Sequence, residues 1–244
     1  MENNTLMIGV IRTALLLLFA MASTAHALTL AAEDAWEPYA NPDGTGMSND
    51  IVRAAFKSVG IEVTFEVIPY ARLLQEVQAG KYIGGFNVAR EPLREDAFLW
   101  GKEMLFLARA HYYHCRPRFL EASSAKELQN GEKVGVIRGY EYGEFFHEND
   151  SISKVWGKRH DQIIRMLQAG RVDTVILFEK TANLFLDEMN LQNEVFAAFS
   201  SEPSRIYVAF SKQHPQAKHY QEKLDEGLAR IKANGEYEAI LERY

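Results

Sequence analysis

A short internal repeat constrains this chain more than any other feature. The segment VQAGKY at 77–82 recurs 90 positions later as LQAGRV at 167–172. Each copy has the pattern of a helix end, a glycine that turns the chain in the left-handed conformation, and a strand start. One copy alone would be an ordinary joint between a helix and a strand. Two copies, each within its own run of strands and helices, indicate two lobes of similar design, and a cleft between such lobes is a common place for a ligand.

The pattern of apolar residues predicts an α/β fold. Short apolar and β-branched runs predict strands at 28–32, 61–68, 82–88, 133–137, 172–177 and 205–210. Between Asn49 and Gly60 the apolar residues follow helical spacing, with Asn49 or Asp50 as the expected cap. The C-terminal stretch from His214 predicts two helices separated near Gly235. Strands that alternate with single helices are typical of α/β proteins with mostly parallel sheets.

The first residues have the pattern of a signal peptide. Arg12 precedes an apolar run at 14–22, and small residues around His26 lead to a cleavage site after Ala27. The apolar run is far shorter than the roughly 20 residues that a membrane-spanning helix needs. Residues 1–27 are therefore predicted to be removed, and the remaining chain is predicted to be periplasmic without a membrane span. A buried N-terminal helix is the alternative.

Composition narrows the range of partners. The formal net charge is −6 and the basic residues form no concentrated stripe, so nucleic acid is not an expected partner. The single cysteine, Cys115, cannot form an intramolecular disulfide and is predicted to be a small buried residue. His111 and His114 precede it, but residues three apart on a strand point to different faces, so no metal site is expected. No cofactor is predicted, and the chain is expected to be a monomer.

Seven short segments are informative through their order and spacing. They are WEPY at 36–39, GMSND at 46–50, PYAR at 69–72, EPLR at 91–94, KVGVIRG at 133–139, GRVD at 170–173 and the stretch 214–244. Together they resemble the family 3 extracellular solute-binding proteins, the polar amino-acid-binding proteins of ABC transporters. The resemblance implies a two-lobed type II periplasmic-binding-protein fold, with crossings between the lobes near Leu107 and Pro203. Lobe 1 would comprise 28–107 plus 203–244, and lobe 2 would comprise 108–202.

The resemblance assigns a binding role to Arg94. In the family, the arginine at this place makes a forked salt bridge to the carboxylate of the ligand. A guanidinium suits that task because its donors match both carboxylate oxygens at once. The alternative is a solvated arginine at a helix start, which the helix dipole slightly disfavours. Arg72 and Arg90 are lesser candidates for ligand contact.

Aromatic and polar residues near predicted strand ends are candidates for the walls of a cleft. Trp36 falls where the family places its stacking aromatic, and it follows Glu33 at a strand end, where α/β clefts open. Tyr70 could stack on the flat part of a ligand, although core packing is the more common role of such a residue. Phe86 and Asn87 are expected to line the floor, with Asn87 providing a donor and an acceptor.

Two regions depart from the family pattern. Glu91 replaces the hydroxyl residue that usually helps to hold the carboxylate, and its negative charge would repel one. After the glycine at 139, the family often has small hydroxyl residues that touch the ligand. In this chain they are replaced by Tyr140, Glu141 and Tyr142.

A third departure concerns the ammonium group of an amino acid. Phe178 stands where amino-acid binders keep an aspartate, although a one-residue bulge could bring the adjacent Glu179 into that place. These departures predict a ligand that is larger than, or different from, a simple L-α-amino acid. We expect Arg94 at its acidic end and Glu91, Glu141 or Glu179 at a basic or hydroxyl-rich end.

The function implied by the resemblance is binding without catalysis. A periplasmic solute-binding protein would capture a small polar, carboxylate-bearing molecule, either an amino acid or an amino-acid-like compound. Hinge closure would trap the molecule, and an ABC transporter permease would receive it. The sequence contains no nucleophile and base at motif-level spacing, so no enzyme activity is expected. Two alternatives stay open on the same fold, a periplasmic enzyme of the dehydratase type and a ligand-sensing module.

Overall fold

The computed structural model describes residues 28–244. The predicted signal peptide, which ends at Ala27, lies outside these residues. Within the described range, no helix is long and apolar enough to cross a membrane. Cys115 is buried at the end of a strand, as the sequence predicts.

Short strands and helices alternate along much of the chain. The strands are β1 (Leu28–Glu33), β2 (Val63–Ile68), β3 (Gly84–Ala89), β4 (Leu99–Trp100), β5 (Phe106–Ala108), β6 (Ala110–Cys115), β7 (Lys133–Ile137), β8 (Ser153–Gly157), β9 (Thr174–Phe178), β10 (Val195–Ser200) and β11 (Ser204–Phe210). The helices are α1 (Met47–Ser58), α2 (Tyr70–Gln78), α3 (Glu144–Glu148), α4 (His160–Gln168), α5 (Glu179–Glu188), α6 (Ala217–Ala233) and α7 (Glu236–Leu241). Single 3-10 turns lie at Pro92–Arg94 and Ala125–Glu127.

The strands form two mixed sheets. The first sheet has the order β2-β1-β3-β11-β4, with β5 pairing along β11, and the second has the order β10-β6-β9-β7-β8. Three neighbouring strands are parallel in each sheet, β2, β1 and β3 in the first and β8, β7 and β9 in the second. The α/β class is confirmed. The expectation of mostly parallel sheets holds for these groups of three strands and needs correction at β6, β10 and β11, which pair antiparallel to their neighbours.

The internal repeat forms two matching joints between a helix and a strand. α2 ends at Gln78 and leads to β3, and α4 ends at Gln168 and leads to β9. The glycine after each helix has a positive φ, 81° at Gly80 and 67° at Gly170. Side chains with a Cβ rarely adopt that conformation, whereas glycine does so without strain. The two sheets therefore contain the same structural unit, as the repeat predicts.

The chain passes between the sheets twice. It passes from β5 to β6 at Arg109, and it returns between Ser200 and Ser204. The division into lobes at 107/108 and 202/203 concerns which segments move together, and it stays a prediction.

Helices cover the sheets and form the outer layers. α2 packs on β1 and β3, α4 packs on β7 and β9, and α1 packs against α6 and α7. α1 begins at Met47, before the expected cap, and Asp50 lies within its first turn. The Nδ2 of Asn49 donates instead to the carbonyl oxygen of Gly44 at 2.9 Å, so the side chain closes the preceding loop and does not cap the helix.

The contact between α1 and α6 depends on Gly227. A Cβ at this position would lie 2.1 Å from the carbonyl oxygen of Ala55. In an open helix, replacing glycine by alanine stabilises by up to about 1 kcal/mol. Here we expect Gly227→Ala to destabilise the protein by about 1–3 kcal/mol, because the two backbones must separate. Thermal unfolding measures the change, with Ala229→Ser on the exposed side of α6 as the control. A higher Tm for Gly227→Ala would contradict this close approach.

Candidate ligand-binding site

A small cavity lies between the two sheets, near the carboxyl ends of their parallel strands. Glu33 is the last residue of β1 and Phe178 is the last residue of β9, and α/β folds commonly place ligand clefts at such strand ends. The cavity volume is about 10 Å³, roughly the space of one water molecule. The cavity is lined by Glu33, Trp36, Tyr70, Asn87, Ala89, Tyr140, Glu141, Phe178 and Ile206.

Two glutamates connect the two sides of this cleft. The hydroxyl group of Tyr140, which follows β7, donates to Oε1 of Glu33 at the end of β1. The hydroxyl group of Tyr70, at the start of α2, donates to Oε2 of Glu141 at 2.7 Å. The Nε of Arg94 lies 2.6 Å from Oε1 of Glu141. Each contact joins a segment of the first sheet to the segment after β7 in the second, so all three require the closed arrangement.

Glu33 is a buried acid with acidic neighbours. Its exposed fraction is only 1%. Burial raises the pKa of Glu33 to about 8, against the opposing effects of the Tyr140 hydrogen bond and the nearby Asn87 amide. The charges of Glu141 and Asp34 raise the pKa of Glu33 further. In this closed arrangement the carboxyl group is therefore mostly protonated at neutral pH.

The chain itself occupies the carboxylate clamp that the sequence predicts at Arg94. Burial raises the pKa of Glu141 to about 7, although Arg94 and Tyr70 both act to lower it. Glu91 is half-buried, and its charge raises the pKa of Glu141 further. The expectation that Arg94 is open to the carboxylate of a ligand therefore needs correction in this arrangement. The reason is that Glu141 replaces a small hydroxyl residue, and its side chain reaches the guanidinium.

Aromatic rings and unpaired polar atoms surround the acids. Trp36 stacks on Tyr39 with ring centroids 4.4 Å apart, and it meets the ring of Phe178 edge-on at 4.7 Å. Within the described part of the chain, the Nε1 of Trp36 and both polar side-chain atoms of Asn87 are buried without a hydrogen-bond partner of good geometry. Asn87 also has a φ of 69°, which is uncommon outside glycine. A ligand that bonds these atoms would remove a penalty of about 1–3 kcal/mol for each unpaired group.

Seven of the fourteen residues named as candidates from the sequence line the cavity, and Arg94 and Glu91 lie beside it. Arg90 pairs instead with Glu95. Three of the others lie elsewhere. Phe86 is buried in the core against Phe65, with ring centroids 5.1 Å apart, because neighbouring strand residues point to opposite faces. The hydroxyl of Tyr142 accepts a hydrogen bond from the backbone N–H of Ile137 at 2.9 Å. Arg72 is exposed on α2.

The bulge proposed at Glu179 does not form. β9 pairs with β6 in regular register as far as Phe178, which stands opposite Ala110. Glu179 begins α5, and its backbone N–H donates to the carbonyl oxygen of Arg109 at 2.8 Å. Its side chain is exposed. Phe178 therefore keeps its place in the cavity wall, and Glu179 is not in position to contact a ligand there.

Two apolar residues of the cavity wall were not predicted from the sequence. Ala89 on β3 stands opposite Ile206 on β11, and both line the cavity. Only the topology brings them together, because β11 joins the first sheet after the chain has returned from the second. Ala89 could have been predicted as a cavity residue from its position at the end of a strand. Among residues 28–244, no group of three or more His, Cys, Asp or Glu side chains is placed to hold a metal ion.

Comparison with known proteins places this fold among binding and sensing domains. No protein-family model and no curated protein matches the chain significantly. A histidine kinase sensor domain with similarity to periplasmic binding proteins is 18% identical with a TM-score of 0.78, covering 90% of this chain and 96% of its own. An amino acid ABC transporter substrate-binding protein from Streptococcus pneumoniae, bound to L-arginine, is 21% identical with a TM-score of 0.73, covering 92% and 96%. An ancestral amino acid-binding protein, a precursor of cyclohexadienyl dehydratase, is 16% identical with a TM-score of 0.73, covering 89% and 94%.

These similarities establish the fold. The chain has the two-sheet architecture of the periplasmic-binding-protein type, as the sequence resemblance implies. Sensors, transport proteins and a precursor of an enzyme share that architecture, so the fold alone does not select a function. The function depends on the side chains in the cleft.

Glu33 should make the stability of the ligand-free protein depend on pH. An acid with a raised pKa stabilises the folded state below its ordinary pKa of 4.5, and this stabilisation is lost as the pH rises through the folded pKa of about 8. We expect the Tm to fall between about pH 6.5 and pH 8. Burial lowers the pKa of His160 to about 4, so that residue acts mainly below this window. Glu33→Gln should reduce the fall, because glutamine does not titrate and still accepts from Tyr140.

The control for this experiment is Glu179→Gln, which makes the same chemical change at an exposed position. It should leave the slope of Tm against pH unchanged. Equal slopes in the wild type and in Glu33→Gln would show that the pKa of Glu33 is not raised in the folded protein.

Proposed function

We propose that this protein captures a small polar solute in the cleft between its two sheets and delivers it to an ABC transporter. The strongest support is the arrangement of polar contacts in the cavity. Glu33 meets Tyr140, and Glu141 meets Tyr70 and Arg94, across the cleft. A solute that bonds to groups on both sides would favour the closed state over the open one.

Capture requires the cleft to open first. A cavity of about 10 Å³ is far smaller than the roughly 300–1,000 Å³ of a typical small-molecule site. Opening would separate Tyr140 from Glu33 and Tyr70 from Glu141, and it would move residues 108–202 relative to the rest of the chain. Closure around a solute would then create the shape that a permease recognises.

The predicted signal peptide fits this role. Residues 1–27 would direct the chain to the periplasm, where a solute-binding protein meets its membrane permease. One of the similar solved structures is the substrate-binding protein of an amino acid ABC transporter, which supports the same assignment. A ligand-sensing module is the alternative role on this fold, which a histidine kinase sensor domain shares. In that role a signalling domain would take the place of the permease.

A periplasmic enzyme is the second candidate. Burial raises the pKa of Glu33 to about 8 and that of Glu141 to about 7, and such a carboxyl group can act as a general acid near neutral pH. One similar solved structure is a precursor of cyclohexadienyl dehydratase. Each acid in this cleft is bonded to a tyrosine from the opposite side, which favours a role in closure over a role in proton transfer.

A thermal-shift screen against amino acids, amines, organic acids and short peptides tests the proposal. We expect one chemical class to raise the Tm in a saturable manner, by about 5–10 °C at a ligand concentration of 100 times Kd. Mass spectrometry should recover the solute unchanged. Small-angle scattering should show a smaller radius of gyration with the solute bound, because the cleft closes.

Asn87→Ala is the matched variant, because it removes two buried polar atoms that face the cavity. It should weaken binding at least tenfold, whereas Glu179→Gln should bind as the wild type does. Conversion of the solute to a product would favour the enzyme, and a shift by none of the four classes would reject the capture of a small solute.

A further inference from the structure

The pairing of Arg94 restricts the charge of a ligand. Its guanidinium already forms an ion pair with the carboxylate of Glu141, which the Tyr70 hydroxyl also holds. The carboxylate of a ligand would have to compete with this intramolecular partner, which reaches Arg94 whenever the cleft closes. It would also approach the charges of Glu141 and Glu91, and like charges at short range repel.

Glu33, in contrast, favours a positively charged ligand. Its carboxyl group is buried beside a neutral partner, the hydroxyl of Tyr140, and the charges that act on it most are those of Glu141 and Asp34. A buried carboxylate is stable when a cation pairs with it. Arg94 already pairs with Glu141, whereas the partner of Glu33 is a neutral hydroxyl. A bound cation would favour the ionised form of Glu33 and pair with it.

The wall around Glu33 is suited to a cation. The rings of Trp36 and Tyr140 lie 6.0 Å apart and meet at 65°, and Phe178 closes a third side, 4.7 Å from Trp36. Aromatic faces attract an ammonium or guanidinium group within about 6 Å of the ring. The buried Oδ1 of Asn87, which has no partner in the described chain, is an acceptor for an N–H group.

If the proposed capture function holds, we propose that the solute is a small organic amine or guanidine that carries no carboxylate, with its cationic group on Glu33 between Trp36 and Tyr140. Glu141 takes the place of the missing carboxylate on Arg94. The site thus selects the decarboxylated form of a basic compound over the corresponding amino acid.

Matched pairs of probes test this selection. Each probe is titrated separately into the purified protein and followed by calorimetry. The matched pairs are agmatine and L-arginine, cadaverine and L-lysine, and tyramine and L-tyrosine. Glutarate is the anionic probe. The tightest probe should be an amine, with a Kd at least tenfold below that of its amino acid. Glu33→Gln should weaken that amine at least tenfold, and Glu179→Gln should leave its Kd unchanged.

Glu141→Gln provides the decisive variant. It frees Arg94 for a ligand carboxylate, so the amino acid of the same pair should gain at least tenfold in affinity relative to the amine. A variant that failed to fold could not show such a gain. An amino acid or glutarate as the tightest probe of the wild type would overturn the inference and leave the capture function standing. Binding of no probe would also overturn it, and the wider screen would then decide the capture function separately.

Discussion

Removing the carboxyl groups of Glu33 and Glu141 from water costs free energy, and partners from the opposite side of the cleft offset part of that cost. Tyr140 bonds to Glu33, and Tyr70 and Arg94 bond to Glu141. Burial of the acids and closure of the cleft therefore depend on each other. The raised pKa values of both acids reflect the part of the desolvation penalty that these partners do not offset.

Much of the fold could be predicted because its signals are local. Glycines 80 and 170 end helices in the left-handed conformation, and the parallel strands beside them are short apolar runs. Each unit can therefore be predicted from its own local sequence. Five strands were not predicted, namely the short β4 and β5, the edge strand β8, and β6 and β10. The sequence of β6, AHYYHC, places histidines and tyrosines along the strand. β6 pairs antiparallel with β10, which lies about eighty residues further along the chain, so no local pattern marks the pair.

The site residues likewise include some that local sequence predicts and some that it does not. Glu33, Asn87 and Phe178 could be expected in the cleft because each stands at or near the end of a strand. Phe86 was misplaced although the two-residue period of a strand already separates it from Asn87. The pairing of Arg94 with Glu141 could not be read from spacing, because it needs the closed arrangement of two sheets. An acid in place of the hydroxyl residue that the resemblance implies after Gly139 was a sign that a cation had to be near.

The contacts that close the cleft also set the threshold for a ligand. A solute that separates Tyr140 from Glu33 must supply interactions of at least equal free energy, and a hydrogen bond between neutral groups contributes only about 0.5–1.5 kcal/mol net. A cation meets that threshold more easily than a neutral group does, because hydrogen bonds to charged groups contribute about 1.5–3 kcal/mol. It would also leave Tyr70 and Arg94 on Glu141, so that two of the three closing contacts persist. The same network that closes the cleft thus favours one charge class of solute over the others.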